Sequence, residues 1–207
     1  MEDHPHVLTE IALFPLSSVL MPRARIPLQI FEQRYLDLVA RCMRESAGFG
    51  VVWLKQGSEV SGGSLDVPNI SDVGTYAPIV DWDQLPNGLL GITIEGRQRF
   101  AVESAWREAD GLIKAEVSLD APTGTAPLPD HYSGLAEVLE SLLRHPQVKR
   151  LGLPVDLEDA WTVAYQLGQL LPLEESIKHG LLNLDSLEQL LEELDTLLRE
   201  LSGEAPA

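Results

Sequence analysis

A hydrophobic opening that proline interrupts three times constrains this chain more than any other feature. Residues 11–35 read IALFPLSSVLMPRARIPLQIFEQRY, with Pro15, Pro22 and Pro27 inside the run. Proline has no N–H to give to a sheet ladder, so in sheets it is confined to edges, strand starts and bends. It also pushes the residue before it toward extended geometry. The stretch therefore reads as an extended, crooked segment that crosses a sheet edge or wraps a barrel. Helical spacing begins directly after it. Phe31, Tyr35, Leu38, Val39, Cys42 and Met43 fall on one face of a helix, and Gly48 is the expected stop.

The following hundred residues alternate between apolar runs and turn residues. FGVVWLK (49–55) is a short buried strand, and QGSEVSGGSLDVPNISD (56–72) is a loop by composition. A strand resumes at 73–85. Pro86-Asn87-Gly88 and Asp110-Gly111 each sit between apolar runs and predict hairpin turns. In 113–119, Ile113, Ala115, Val117 and Leu119 alternate with polar residues, the pattern of a half-buried strand. Short strands with Gly and Pro turns favour a partly closed barrel over an open sheet.

Composition then changes. APTGTAPLPD (121–130) has no period and is the expected linker between a β-rich domain at 1–122 and a helical bundle at 123–207. One helical stripe runs through Leu135, Leu139 and Leu142 to a stop at Pro146. Asp156 is the expected cap of a helix that Pro172 closes, and a short helix is expected at 174–182. Asp185 with Glu188 suggests a capping box for a last, leucine-rich helix. The fold class is α+β.

The chemistry of function is sparse. Among 207 residues the formal charge is −17, with 32 acidic against 15 basic side chains. Nucleic acid and anionic membranes call for clustered Lys and Arg, so neither is an expected partner. Cys42 is the single cysteine, which leaves no disulfide or thiolate cluster within one chain. The N-terminus lacks the basic and apolar regions of a signal peptide, and no apolar run approaches a membrane span; the expectation is a cytoplasmic protein. Phosphate-cradling and nucleophile-elbow motifs are missing, and Gly62-Gly63 has no lysine after it. Asp3, His4 and His6 at a terminus, and His131, His145 and His179 elsewhere, lack metal-site spacing, so neither metal nor cofactor is expected. Trp53, Trp106 and Trp161 read as core, whereas Trp82, between Asp81 and Asp83, reads as exposed. Glu32 and Arg34 at the helix start suit a structural role first: a carboxylate at the positive helix end, and an arginine tied to a carboxylate or a loop carbonyl. Ligand anchoring is the alternative.

The order of these elements resembles the amino-terminal substrate-binding domain of Lon proteases. The residues that carry the likeness are Leu13-Phe14-Pro15-Leu16, Pro22, Pro27, Ile30-Phe31-Glu32-Gln33-Arg34-Tyr35, DVGTYAPIV (72–80), and the hairpin with Gly88, Gly96, Arg97, Arg99 and Phe100. That resemblance implies a PUA-like β pseudobarrel with one inserted helix, followed by a small α-helical bundle. It implies a stand-alone domain without the family's ATPase and protease modules. Ser133 and Lys178 lie on predicted helices and lack the sequence context of a serine–lysine protease. The expected function is non-catalytic binding of unfolded or hydrophobic polypeptide segments, or of a partner protein, in an adaptor-like role. Candidate binding residues are Leu20, Met21 and Pro22 in the irregular segment, with Glu32, Arg34 and Trp82. Peptidase-associated activity, RNA binding through a PUA-like barrel, and a small-ligand pocket between barrel and bundle near Glu32 and Arg34 are the alternatives.

Overall fold

Each proline of the opening stretch occupies a place that its chemistry permits. The computed structural model describes residues 8–55 and 67–203. Strand β1 (Leu8–Leu16) pairs antiparallel with β7 (Ile113–Leu119) only as far as Leu13. Pro15 lies beyond that point, matched on one side alone to Val52 of β3 (Gly48–Leu54) in a parallel ladder. Pro27 is exposed in β2 (Arg25–Ile30), an edge strand whose partner is β5 (Leu90–Glu95). Pro22 begins a tight turn closed by Ala24 N–H to the Met21 carbonyl at 3.2 Å, with Arg23 at φ 62°. Proline followed by a positive φ is the pattern of a type II turn, and a non-glycine residue at its third position is uncommon.

Five strands close into a ring. β1 pairs β3, β3 pairs β4 (Ile70–Gln84), β4 pairs β6 (Arg99–Arg107), β6 pairs β7, and β7 returns to β1. Leu13, Val52, Phe100, Ile113, Ala115 and Val117 fill its core. β4 has 15 residues and pairs with three strands, β3, β6 and β5. Its first half belongs to the ring. Beyond Pro78 it leaves β3, bulges between Ile79 and Asp81, and runs with β5 and β2 as an antiparallel ribbon. Proline suits that switch, because a residue there has no ladder to continue. Both expected hairpins form with the same construction. Leu85 N–H bonds the Leu89 carbonyl around Gly88 at φ 83°, and Glu108 N–H bonds the Leu112 carbonyl around Gly111 at φ 85°. Each is a turn followed by a left-handed glycine.

The irregular segment that was expected at the surface is instead buried. Leu20 and Met21 are 2% and 1% exposed, and Pro22 is buried. Thr75 Oγ1 donates to the Leu20 carbonyl at 2.6 Å, and Arg23 N–H to the Gly96 carbonyl at 2.7 Å. Apolar side chains in a segment this tightly bonded to the ring lose more water contact by burial than the bends cost. A methyl at Gly96 would sit inside the contact distance of the Met21 carbonyl oxygen. Gly88 has open space around it. Gly96→Ala is therefore expected to cost about 3 kcal/mol through forced backbone movement, more than Gly88→Ala, which carries only the left-handed strain of about 1–2 kcal/mol. Paired urea denaturation checks the order, and a smaller loss at Gly96 would refute the close approach.

Helix α1 spans Gln33–Glu45 and buries Tyr35, Leu38, Val39 and Cys42, four of the six residues of the expected face. The other two depart from it. Phe31 is 70% exposed and Met43 is 43% exposed. Glu32 is still extended at ψ 135°, so the helix begins only at Gln33 and Phe31 is off its face altogether. Gly48 does not end the helix; Ser46 does, at φ 53° with Ala47 N–H returned to the Cys42 carbonyl. Gly48 is needed for a different reason, since a Cβ there would come within 2.5 Å of the Ala77 carbonyl.

Burial pushes the Cys42 thiol above its ordinary value, with Arg41 opposing. A raised acid pKa adds stability that is present at neutral pH and is lost as the pH climbs through the thiol range. Native protein is expected to react with a thiol reagent far more slowly than protein in urea. Equal rates would contradict the burial.

The chain divides into two compact units, Met1–Pro122 and Thr123–Ala207. In the second, α2 (Ser133–Leu143), the short α3 (Pro146–Lys149), α4 (Ala160–Leu170), α5 (Glu175–Leu182) and α6 (Leu187–Ser202) pack around Leu135, Leu139, Val163, Leu167, Leu190 and Leu194. Residues 126–128 are held rather than loose: Ala126 N–H donates to Asp159 Oδ1 at 2.9 Å, and Leu128 N–H to the Glu158 carbonyl. Asp159, not Asp156, caps α4, accepting from Thr162 N–H and Oγ1; Asp156 closes a local turn onto Glu158 N–H. Ser186, not Asp185, caps α6, with Gln189 three residues on. In both cases the cap sits nearer the first buried position than the sequence reading had it. No helix among the described residues is long and apolar enough to cross a membrane.

Candidate functional site

The largest exposed apolar side chains of the first unit are Phe31 and Trp82, at 70% and 60% exposure. Phe31 overlooks a groove of about 440 Å³ where the ends of several strands meet the start of α1. Its floor is aromatic. Phe14 stacks on Tyr35 with ring centroids 4.1 Å apart, and Phe49 tilts against Phe14 at 5.6 Å. Leu16, Leu28 and Leu54 supply apolar walls. The groove adjoins β2, whose outer edge has no partner strand among the described residues.

Arg34 holds this corner together. Nη1 donates to the Gly111 carbonyl at 2.7 Å, Nη2 pairs with Glu32 Oε2 at 2.7 Å, and the guanidinium lies 4.7 Å from the centre of the Tyr35 ring. Both partners expected of Arg34, a carboxylate and a loop carbonyl, are thus present, while Glu32 sits at the N-cap without a side-chain hydrogen bond to the helix. The same two residues line the groove, as does Arg107 at the end of β6. Burial pushes the Tyr35 phenol above its ordinary value; Arg34 and Arg107 oppose the rise and Glu32 adds to it.

Trp82 stands elsewhere on the ribbon. It is matched to Ile92 of β5, and Ile92 to Leu28 of β2, so the three side chains share one sheet face. Two strand spacings put Trp82 about 10 Å from Leu28. The Trp53, Trp106 and Trp161 side chains are half-buried.

Of the candidate binding residues, Glu32 and Arg34 meet in the groove, Trp82 shares the ribbon face that leads to it, and Leu20, Met21 and Pro22 are inside the protein. Phe31, Leu28, Leu54 and Arg107 were missed. For Phe31 a signal existed. Pro27, Gln29 and Phe31 are exposed in alternation with Ile26, Leu28 and Ile30. Carrying the period of two through residue 31, rather than starting the helical period there, places Phe31 outward.

Of Ser133 and Lys178, only the lysine is shown engaged in packing. Lys178 Nζ donates to the Gln169 carbonyl at 3.2 Å and pairs with Glu175 at 3.4 Å. Ser133 is exposed at the first position of α2. No cluster of three or more His, Cys, Asp or Glu side chains able to hold a metal occurs among the described residues. Asp3, His4, His6 and Gly62-Gly63 lie outside them.

A family model for the substrate-binding domain of ATP-dependent protease La (LON) matches residues 10–200, nearly the whole chain. The chain belongs to the Lon substrate-binding domain family. A crystal structure of a Lon N-terminal domain protein from Xanthomonas campestris is 36% identical to it, with a TM-score of 0.73, covering 91% of this chain and 98% of that one. The N-terminal domain of a Mycobacterium avium complex Lon protease shares the fold at a TM-score of 0.56 and 13% identity, covering 90% and 96%. Lon protease 2 of Herpetosiphon aurantiacus is 28% identical over 92% of this chain, which spans about a quarter (24%) of that relative's length. The Lon domain fold is an α+β, PUA-like barrel, and the opening prolines sit in it at a strand end, at a tight turn and on an edge strand. The similarity lies in the substrate-binding region of the Lon family.

Proposed function

We propose that this Lon-family domain is a non-catalytic module that binds unfolded or hydrophobic polypeptide segments, in an adaptor-like role. One observation carries the reading: Phe31, 70% exposed, stands over an aromatic-floored groove beside an open strand edge. An exposed aromatic ring continuous with an apolar groove offers area that a partner can cover. An extended segment can add to a sheet edge through its backbone while a side chain enters a neighbouring pocket. Membership of a substrate-binding family supports the same reading, as does the engagement of Lys178 in helix packing.

Fluorescence anisotropy with a labelled, reduced and alkylated protein tests it. The unfolded chain is expected to bind at micromolar concentration, the level one apolar anchor and a few backbone bonds support. The same protein in its folded form is expected to bind far more weakly. Equal signals for the two forms, or none for the unfolded one, would refute the proposal. Binding of structured RNA instead would favour the barrel's other expected use.

A further inference from the structure

The ribbon has two outer edges, and its own side chains occupy the donors of one. Beyond Pro78, β4 pairs only with β5 among the described residues, and residues 80–84 are all exposed. Antiparallel pairs alternate between residues that exchange backbone bonds and residues whose N–H and C=O point outward. The bond from Leu85 N–H to the Leu89 carbonyl sets the phase. Asp83 with Gly91 and Asp81 with Thr93 are then the bonded pairs, and Trp82 and Gln84 point their backbone groups away from β5. Both of these outward N–H groups are taken. Trp82 N–H donates to Asp81 Oδ1 at 2.9 Å, and Gln84 N–H donates to Asp83 Oδ1 at 2.7 Å. A strand adds to an edge through N–H donors as well as carbonyls, and this edge presents only carbonyls and two carboxylates. The phase also carries across β5. Leu28 is bonded to Ile92 and Ile30 to Leu90, so Pro27 and Gln29 face outward on β2. Proline, with no N–H, suits the outward position it holds, while Gln29 keeps an outward N–H beside the groove.

We infer that Asp81 and Asp83 shut the Trp82 edge of the ribbon against strand addition, a second copy of this chain included. The closure stands on the geometry of β4. Its consequence, that a bound segment is left the β2 edge at Gln29, rests on the polypeptide-binding reading.

Amide hydrogen exchange on the wild-type protein gives the first test. After correction for sequence, the Trp82 and Gln84 amides are expected to exchange about tenfold more slowly than Gln29, the effect of one charge-assisted hydrogen bond. Equal rates overturn the closure, and no variant is needed to see it. Two double variants of equal net charge give the second test. Asp81→Ala with Asp83→Ala removes the acceptors; Asp81→Asn with Asp83→Asn removes the charge and keeps them. The alanine pair is expected to lose the protection and to self-associate with rising concentration in sedimentation. Tryptophan emission should shift to the blue as it does, since Trp82 is 60% exposed. The asparagine pair is expected to behave as the wild type. Equal association of both variants, or of neither, overturns the inference. Binding of an unfolded chain to the wild type is read separately, so either result leaves that proposal standing.

Discussion

Phe14→Ala is expected to destabilise the β-rich unit by about 3–5 kcal/mol, the usual cost of emptying a buried phenylalanine site. Phe14 is 8% exposed and stacked between Tyr35 and Phe49. It joins β1 of the ring to the first turn of α1. β7 pairs β1 as far as Leu13 and β3 pairs it from Leu13 to Leu16, with Phe14 against Val51, so the backbone there has little freedom to collapse into the space. The loss is a large share of the roughly 5–15 kcal/mol that holds an ordinary domain together. Urea denaturation followed by far-ultraviolet circular dichroism measures it. A loss under about 1 kcal/mol would mean that the aromatic floor does not pack as described.

Phe31→Ala is expected to do the opposite: little to stability and much to binding. Only a minor part of the ring is covered, so its truncation should leave stability within about 0.5 kcal/mol. If the ring is the groove's anchor, affinity for an unfolded polypeptide should fall about ten- to thirtyfold, as at the centre of other interfaces. Phe31→Leu should fall between, because it keeps apolar area and loses the flat face. Two aromatic residues separated by a single groove thus divide the work. On the proposed reading, Phe14 holds the corner together and Phe31 faces the bound segment. Anisotropy titration and thermal melts on the same samples read both effects. A Phe31→Ala protein that binds as well as the parent would remove the anchor from the proposal.

The paired prediction depends on a point that helical periodicity alone gets wrong. The spacing Phe31, Tyr35, Leu38, Val39, Cys42 and Met43 satisfies one helix face, yet the first and last members are exposed. Periodicity identifies which positions could share a face. It does not say where the helix starts, and here Glu32 stays extended because β2 runs almost up to it. Leu20, Met21 and Pro22 show the converse. A crooked segment without period looks like surface, but this one is threaded past Thr75 and Gly96 into the barrel. Local pattern carries no information on that, because the partners are about 55 and 75 residues away in sequence and come near only when the ring closes.

What the residues settle on their own is the kind of fold. Prolines that cannot donate force bends, glycines set the two hairpins, alternation marks β7, and the leucine stripes mark the helices. Each rests on the geometry of one or a few neighbouring residues. What only the folded chain decides is which side chains face water. The groove exists because β1, β2 and β6 end, and α1 begins, at one corner, and its two arginines come from distant parts of the sequence. Burial and local charge are sums over such distant neighbours, so they are fixed only once those neighbours are in place.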